Sequence, residues 1–425
     1  MGGKAFVRAV AAGHSSPATP RMSPAEYCHL VEILHTRLCV TFPDRHVTTL
    51  IQAPEKTSHG DIDFLVSRDG QEIDYMKVAH GLGAHAIILS TGACYLACRR
   101  DGLRSPNPAI VFTEVKGGPI VEQDASETEP EIYAQVDVRF IASQDFAWHM
   151  FTHAYGGLIA ILGRMATHAG FRIDDKGLSI RLQAYDDTKG RPHLKVPATL
   201  GYCLLSNEPD KVMDFFGLSV QTYHEGFPTW ESLFTWLTCC KFISIEVNST
   251  DNGANGKPKP EAYLRFYKDW LPGFIDDQNR LNSEWHISCG TIGVVGNEKQ
   301  RQIWKDQALE RFDKLEEYTQ GCAHLEQEIA EQTVSHLLKP IVRKATGLAE
   351  SKQTEIFRSL RRWVAVVDGK LRVLSESHSD HDSQLRYLLA DDTSSLLDQD
   401  MTMDWIRDNW ELVRALERKA KHKGT

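Results

Sequence analysis

The first regular pattern along the chain is helical. Tyr27, Leu30, Val31, Ile33 and Leu34 recur at the spacing of one helix face. Ser23 precedes Pro24, and Glu26 follows three residues after the serine, the order of an N-cap, a first-turn proline and a capping-box glutamate. A helix is therefore expected from Ser23 to about Cys39. Ahead of it, residues 1–20 are small, polar and proline-bearing apart from Ala5-Phe6-Val7, and read as an extended arm. Residues 46–51 are rich in β-branched side chains and predict a strand; 54–60 are turn-rich. Asp61-Ile62-Asp63-Phe64-Leu65-Val66 then begins by alternating acid with apolar, a strand pattern in a hairpin-like or sheet-edge arrangement closed by a turn at 67–70.

Further along, 73–79 reads as a short helix ended by Gly81 and Gly83. Strands are expected over 84–89, 95–99, 110–115 and 132–141, with an acidic polar loop at 122–131. From Phe146 the texture turns helical, with Met150, Leu158, Ile161 and Leu162 at roughly helical spacing. Helices are expected over 229–237, 261–270 and 298–321, with another reaching Leu338, and over 403–421. Residues 248–259 and 375–383 read as a loop and a weak linker. No internal repeat is visible.

The chain has 425 residues, which predicts two or three domains. A mixed sheet flanked by helices is expected over 1–145, an α/β (α+β) core. A helical domain is expected over 146–345 and a mainly helical extension over 346–425. The net charge of -9 excludes a molecule built throughout as a polycation for nucleic acid, but leaves room for a local basic groove. Nine cysteines without a CxxC pair read as reduced thiols of a cytoplasmic or nuclear protein, Cys94 and Cys98 among them. No stretch has the length and apolarity of a membrane span. The start lacks the apolar core of a secretory signal, and Phe6 stands where a myristoylation motif wants Ser or Thr.

The acids carry the chemistry. Residues two apart on a strand share a face, so Asp61 and Asp63 point one way while Ile62, Phe64 and Val66 point into a core. Like charges this close raise each other's pKa unless a cation neutralises them. Mg²⁺, or equally Mn²⁺, does so with carboxylate oxygens and substrate phosphates. Asp137, flanked by Val136 and Val138, is the third acid. Three convergent carboxylates can hold two metals roughly 3.5–4 Å apart. Asp137 is also a candidate to take a proton from an attacking hydroxyl. Arg139 shares its face and either reaches a phosphate or pairs with the acids. An exposed polar strand face is the plain alternative for the Asp-x-Asp pair alone.

Gly60-Asp61-Ile62-Asp63-Phe64 and Gln135-Val136-Asp137-Val138 resemble the nucleotidyltransferase superfamily, which includes β-type DNA polymerases, CCA-adding enzymes and oligoadenylate synthetases. A closer resemblance is to a poorly characterised group in viruses and some cellular genomes. Its members begin Met-Gly-Gly-x-Ala-Phe and carry Lys-x-Ser-x-Gly-Asp-h-Asp, where h is apolar. Here stand Met1-Gly2-Gly3-Lys4-Ala5-Phe6, Arg21-Met22-Ser23 and Lys56-Thr57-Ser58-His59-Gly60-Asp61, with Phe146-Ala147-Trp148 after the third acid. The helical stretches 213–218 and 229–237 continue the likeness, which covers about residues 1–240.

The resemblance implies a DNA polymerase β-like catalytic core. Metal would sit at Asp61, Asp63 and Asp137, and nucleotide contacts at Lys56, Ser58, Gly60 and Arg139. The activity implied is transfer of a nucleoside monophosphate from a nucleoside triphosphate such as ATP to an RNA end, a protein or a small molecule. One departure stands out: Ile51-Gln52-Ala53 occupies the place of the superfamily's phosphate-cradling Gly-Ser. Either Lys56, Thr57 and Ser58 take over phosphate contact or nucleotide binding is weakened; Gly2-Gly3 lies before the first helix. The alternative is a catalytically degenerate module of the same fold that binds a protein or RNA partner.

Other signals have plainer readings. His378-Ser379-Asp380-His381-Asp382 reads as a solvated loop, and Trp230, Trp236 and Trp270 as core aromatics. Lys257, Lys259 and Arg265 near Tyr263 and Tyr267, and Arg358, Arg361 and Arg362 beside Trp363, read as exposed faces before they read as RNA contacts. Lys419, Lys421 and Lys423 complement the negative end of the last helix.

Overall fold

A computed structural model describes residues 4–11, 13–70, 72–105, 107, 109–114, 131–186, 188, 191, 194–243, 259–280, 298–367, 370–377 and 399–423. Gly2-Gly3, Lys257, the His378–Asp382 cluster and nearly all of the loops expected at 122–131 and 248–259 lie outside them, as does most of the 375–383 linker. The chain forms two compact units, Met1–Ser179 with Leu204–Ala308, and Ile180–Cys203 with Leu309–Thr425. No described helix is long and apolar enough to cross a membrane.

The first unit is mixed α/β. Its sheet has seven strands: β1 (Ala9–Val10), β2 (Val47–Thr49), β3 (Asp61–Arg68), β4 (Ala86–Ser90), β5 (Ala93–Arg99), β6 (Ile110–Glu114) and β7 (Tyr133–Ala142). They lie in the order β1-β6-β4-β5-β7-β3-β2. β3 runs parallel to β7, and β4 to β6; the remaining pairs are antiparallel.

Alternation along these strands separates two faces. Ile62, Phe64 and Val66 of β3 join Val136 and Val138 of β7 and Leu96 of β5 beneath two helices, α1 (Pro24–Thr41) and α2 (Tyr75–Leu82). α1 begins with the expected capping box between Ser23 and Glu26 and buries Tyr27, Leu30, Leu34 and Leu38. α2 starts after an Asp74 cap and stops at Gly83, whose φ of 68° suits glycine. Cys94 and Cys98 are buried on this face as free thiols.

The opposite face is covered in two pieces. At one end the arm lays Phe6 and Ala9 on Ala86, Ile88, Ala97, Phe112 and Tyr133. At the other, Phe146 of α3 (Phe146–His153) packs on Leu50 and Leu65. Between the two covers the polar residues of β3 and β7 are left in a cleft. α3 passes to α4 (Leu158–His168) through Tyr155, Gly156 and Gly157, all at positive φ. Gly157, at φ 153°, could not carry a side chain: a Cβ there would stand 2.8 Å from that of Pro260.

Several expectations are corrected. β3 forms the expected hairpin-like pair with β2, but it is not the sheet edge, because β7 lies on its other side. It runs on through Ser67 and Arg68, which were expected in a turn, because β7 pairs with it along its whole length. After Phe146 the chain is not uniformly helical: Phe171–Asp174, Gly177–Arg181 and Tyr202–Ser206 are strands. The helix expected over 298–321 is two helices, Glu298–Arg311 and Leu315–Thr346, broken where Asp313 takes φ 53°.

The second unit packs Leu315–Thr346, Glu350–Trp363 and Gln399–Lys423 around Val342, Ile356, Leu360, Ile406 and Val413, beside an antiparallel pair, Val364–Val367 with Lys370–Val373. Glu417, buried there, accepts from Arg362 at 3.0 Å and from the Trp363 indole at 3.0 Å. Arg362 and Trp363 are thus engaged within this unit.

Phe64 is fully buried under α1. Phe64→Ala is expected to cost about 3–5 kcal/mol, read as a lower urea midpoint with an unchanged slope.

Candidate metal centre

The centre begins with the parallel register of β3 and β7, in which Asp63 is the partner of Asp137 and Asp61 the partner of Gln135. Two carboxylates on adjacent strands at the same level, with a third two residues along, must converge. The three acids offer carboxylate oxygens that all lie within 4.8 Å of one another. Asp137 is 5% exposed, and Tyr95 of β5 is its partner on the other side.

The loop into β3 is fixed from below. Met22 and His59 exchange backbone hydrogen bonds of 2.7 and 2.9 Å, and the Tyr27 ring stacks on His59 at 3.8 Å. Arg21 donates to the Ser58 hydroxyl at 2.8 Å and to its carbonyl at 2.7 Å. Burial, Lys56 and Arg21 lower the His59 pKa to about 4, so at neutral pH it adds no charge beside the acids.

Charge crowding dominates the electrostatics. Burial, and then Asp63, raise the Asp137 carboxyl to about 8, although Gln135 donates to it. Burial and Asp61 raise Asp63 to about 6 against the pull of Arg139 and Lys56. The donor set is therefore all oxygen, compact and underneutralised. That chemistry suits a hard divalent cation such as Mg²⁺ or Mn²⁺.

The acids open into a cleft of about 620 Å³ whose lining includes Lys4, Lys56, Gln135, Arg139, Thr152 and His153. Lys56 donates to Gln52 at 2.7 Å. The Arg139 guanidinium lies 3.9 Å from Asp63 and 3.4 Å from His153 Nε2. His153 Nδ1 faces the His149 carbonyl at 3.0 Å, which can only accept. Nδ1 therefore carries the proton, leaving Nε2 to accept from Arg139.

Of the residues singled out in the sequence, Asp61, Asp63, Asp137, Lys56 and Arg139 meet in this cleft. Ser58 and Gly60 are not in its lining. Ser58 is tied to Arg21, and Gly60 is buried at the entry to β3. Gln135, Thr152, His153 and Lys4 also line the cleft and had not been singled out as site residues. Gln135 was signalled by its place two before Asp137. Thr152 and His153 follow the noted Phe146-Ala147-Trp148 but carry no motif. Lys4 lay in an arm whose return to the sheet has no local signal.

The raised carboxyls set a pH dependence. An Asp in an unfolded chain titrates near about 3.9, whereas Asp63 and Asp137 titrate at about 6 and about 8 in the fold. Between these values the native state holds protons the unfolded state has lost, so these groups make stability fall as pH rises. Metal-free protein is expected to show this fall in urea unfolding, and Asp137→Asn to reduce it. Mg²⁺ or Mn²⁺ held by these carboxylates would compete with those protons, so its affinity is expected to climb toward pH 8. Identical pH profiles for wild type and Asp137→Asn would place the Asp137 carboxyl in its ordinary range instead.

No protein-family model matches the chain, and no curated protein matches it.

Proposed function

We propose that this chain is a metal-dependent nucleotidyltransferase of the DNA polymerase β-like superfamily. It would transfer a nucleoside monophosphate from a nucleoside triphosphate to an acceptor hydroxyl. The observation that carries the reading is the in-register Asp63–Asp137 pair with Asp61 beside it, in a cleft that also holds Lys56 and Arg139. Three mutually repelling acids in a half-buried cleft are costly without a cation. The resemblance of Gly60-Asp61-Ile62-Asp63 and of the strand around Asp137 to that superfamily supports the same reading.

Asp61, Asp63 and Asp137 would hold Mg²⁺ or Mn²⁺. When bound, the metal supplies Lewis-acid stabilisation of charge on the reacting phosphate and the departing pyrophosphate. Lys56 and Arg139 bind phosphate oxygens and orient the nucleotide. The acceptor oxygen bonds to the α-phosphorus, the bond from that phosphorus to the β-phosphate's bridging oxygen breaks, and pyrophosphate leaves. An oxygen of Asp137, ionised when the cation is bound, takes the acceptor's proton. The acceptor is an RNA end, a protein or a small molecule.

The test is thermal unfolding of wild type and of the double variant Asp61→Asn/Asp63→Asn, with Mg²⁺ and each of the four ribonucleoside triphosphates. Stabilisation that needs both metal and nucleotide, and is absent from the variant, is the expected result. Asp137→Ala should then lower turnover by at least about a hundredfold with the fold retained. If no triphosphate stabilises the wild type, the chain is instead a non-catalytic module of this fold that binds a protein or RNA partner.

A further inference from the structure

The arm ahead of α1 is built into the cleft. Phe6 is 1% exposed and meets the Phe112 ring edge-on at 6.0 Å. β1 pairs with β6 through Ala9 with Glu114 and Val10 with Thr113. The Ser16 hydroxyl donates to the Phe6 carbonyl, and Val7 N–H donates to the Lys4 carbonyl at 3.3 Å. These contacts bring Lys4 and Ala5 to the wall of the cleft that holds the acids.

One hydrogen-bond chain joins this wall to the metal centre. Ala5 N–H donates to Gln135 Oε1 at 2.9 Å, and Gln135 Nε2 donates to Asp137 Oδ1 at 2.8 Å. A backbone N–H can only donate, so the amide oxygen of Gln135 must face Ala5 and its NH₂ must face the carboxylate. Gln135 is 2% exposed, and both halves of its amide are committed.

The cations of the cleft are unequally engaged. Lys56 is bonded to Gln52, and Arg139 is drawn to Asp63 and His153. No described side chain pairs with the exposed Lys4 ammonium, although it lines the same cleft. A flexible cation beside three acids, on a backbone fixed by a buried phenylalanine, is placed to meet an anion arriving with the metal.

We propose that the arm is a working wall of the nucleotide site, with Lys4 binding the triphosphate of the incoming nucleoside triphosphate and Gln135 holding the arm and Asp137 in one arrangement. This rests on the nucleotidyltransferase reading and deepens it. Lys4 is assigned to the phosphates rather than to the metal; Gln135 is a positioning residue.

The experiment uses the full chain as wild type, Lys4→Ala and Lys4→Arg, with two probes. Mn²⁺ alone is titrated first. A non-hydrolysable analogue of the triphosphate that best stabilises the wild type is then titrated at saturating Mn²⁺. Lys4→Ala is expected to weaken analogue binding by about ten- to a hundredfold, and Lys4→Arg to restore most of it. Mn²⁺ affinity should hold or rise slightly in Lys4→Ala, because a repelling cation has been removed. Gln135→Leu should lower kcat, because Asp137 loses its donor, and also weaken analogue binding, because Ala5 beside Lys4 loses its anchor; a loss confined to either one would overturn its role in joining the two.

Unchanged analogue affinity in Lys4→Ala would overturn the role of the arm while leaving the nucleotidyltransferase reading intact. An equal loss of Mn²⁺ affinity would also overturn it, because a phosphate contact exists only when nucleotide is present. A wild type that binds Mn²⁺ but no triphosphate would overturn both.

Discussion

The parallel pairing of β3 with β7 is the constraint on which the rest of the site depends. It sets Asp63 beside Asp137, and strand alternation then brings Asp61 and Gln135 to the same face. A shift of register by one residue would turn the acids inward and the valines outward. The reverse face resists that shift. Ile62, Phe64, Val66, Val136 and Val138 are all buried there against α1 and α2. Hydrophobic burial on one side of the sheet thus holds together charges that repel one another on the other side.

The same arrangement explains why the surroundings of the acids are so heavily tied. Met22 and His59 lock the loop before Asp61, and Tyr27 stacks on that histidine. Arg139 is shared between Asp63 and the unprotonated nitrogen of His153. Carboxylates of raised pKa keep their geometry only if neighbouring groups over-determine it. The positive φ values at Tyr155, Gly156 and Gly157 belong to the same rim, where the chain leaves α3 and returns to line the cleft.

Much of this was legible in the sequence because it is local. Acid and apolar alternation marked Asp61, Asp63 and Asp137, and the Ser23-Pro24-Glu26 signature marked the start of α1. What escaped was non-local or short. Asp61 to Arg68 looks the same as an edge strand or as an interior one until its partner is known. That partner lies beyond three intervening strands. The strands Phe171–Asp174 and Gly177–Arg181 have four and five residues, too few for a period of two to stand out from helical neighbours. The break at Asp313 has no glycine or proline to announce it. Pro340, by contrast, sits inside Leu315–Thr346 without ending it, because a long packed helix can absorb the loss of one backbone donor.

The arm shows how a distant segment can become part of a site without contributing an acid. Its anchorage is apolar, through Phe6, while its influence is polar, through the Ala5 N–H. Were the arm to lift, Gln135 would lose the donor that orients its amide. The amide could then turn its oxygen no more usefully than toward a carboxylate, an acceptor facing an acceptor. Leaving either group unsatisfied in a buried place is unfavourable. The arm, Gln135 and Asp137 therefore favour one joint arrangement, in which the wall of the cleft and the carboxylate at its base are positioned together.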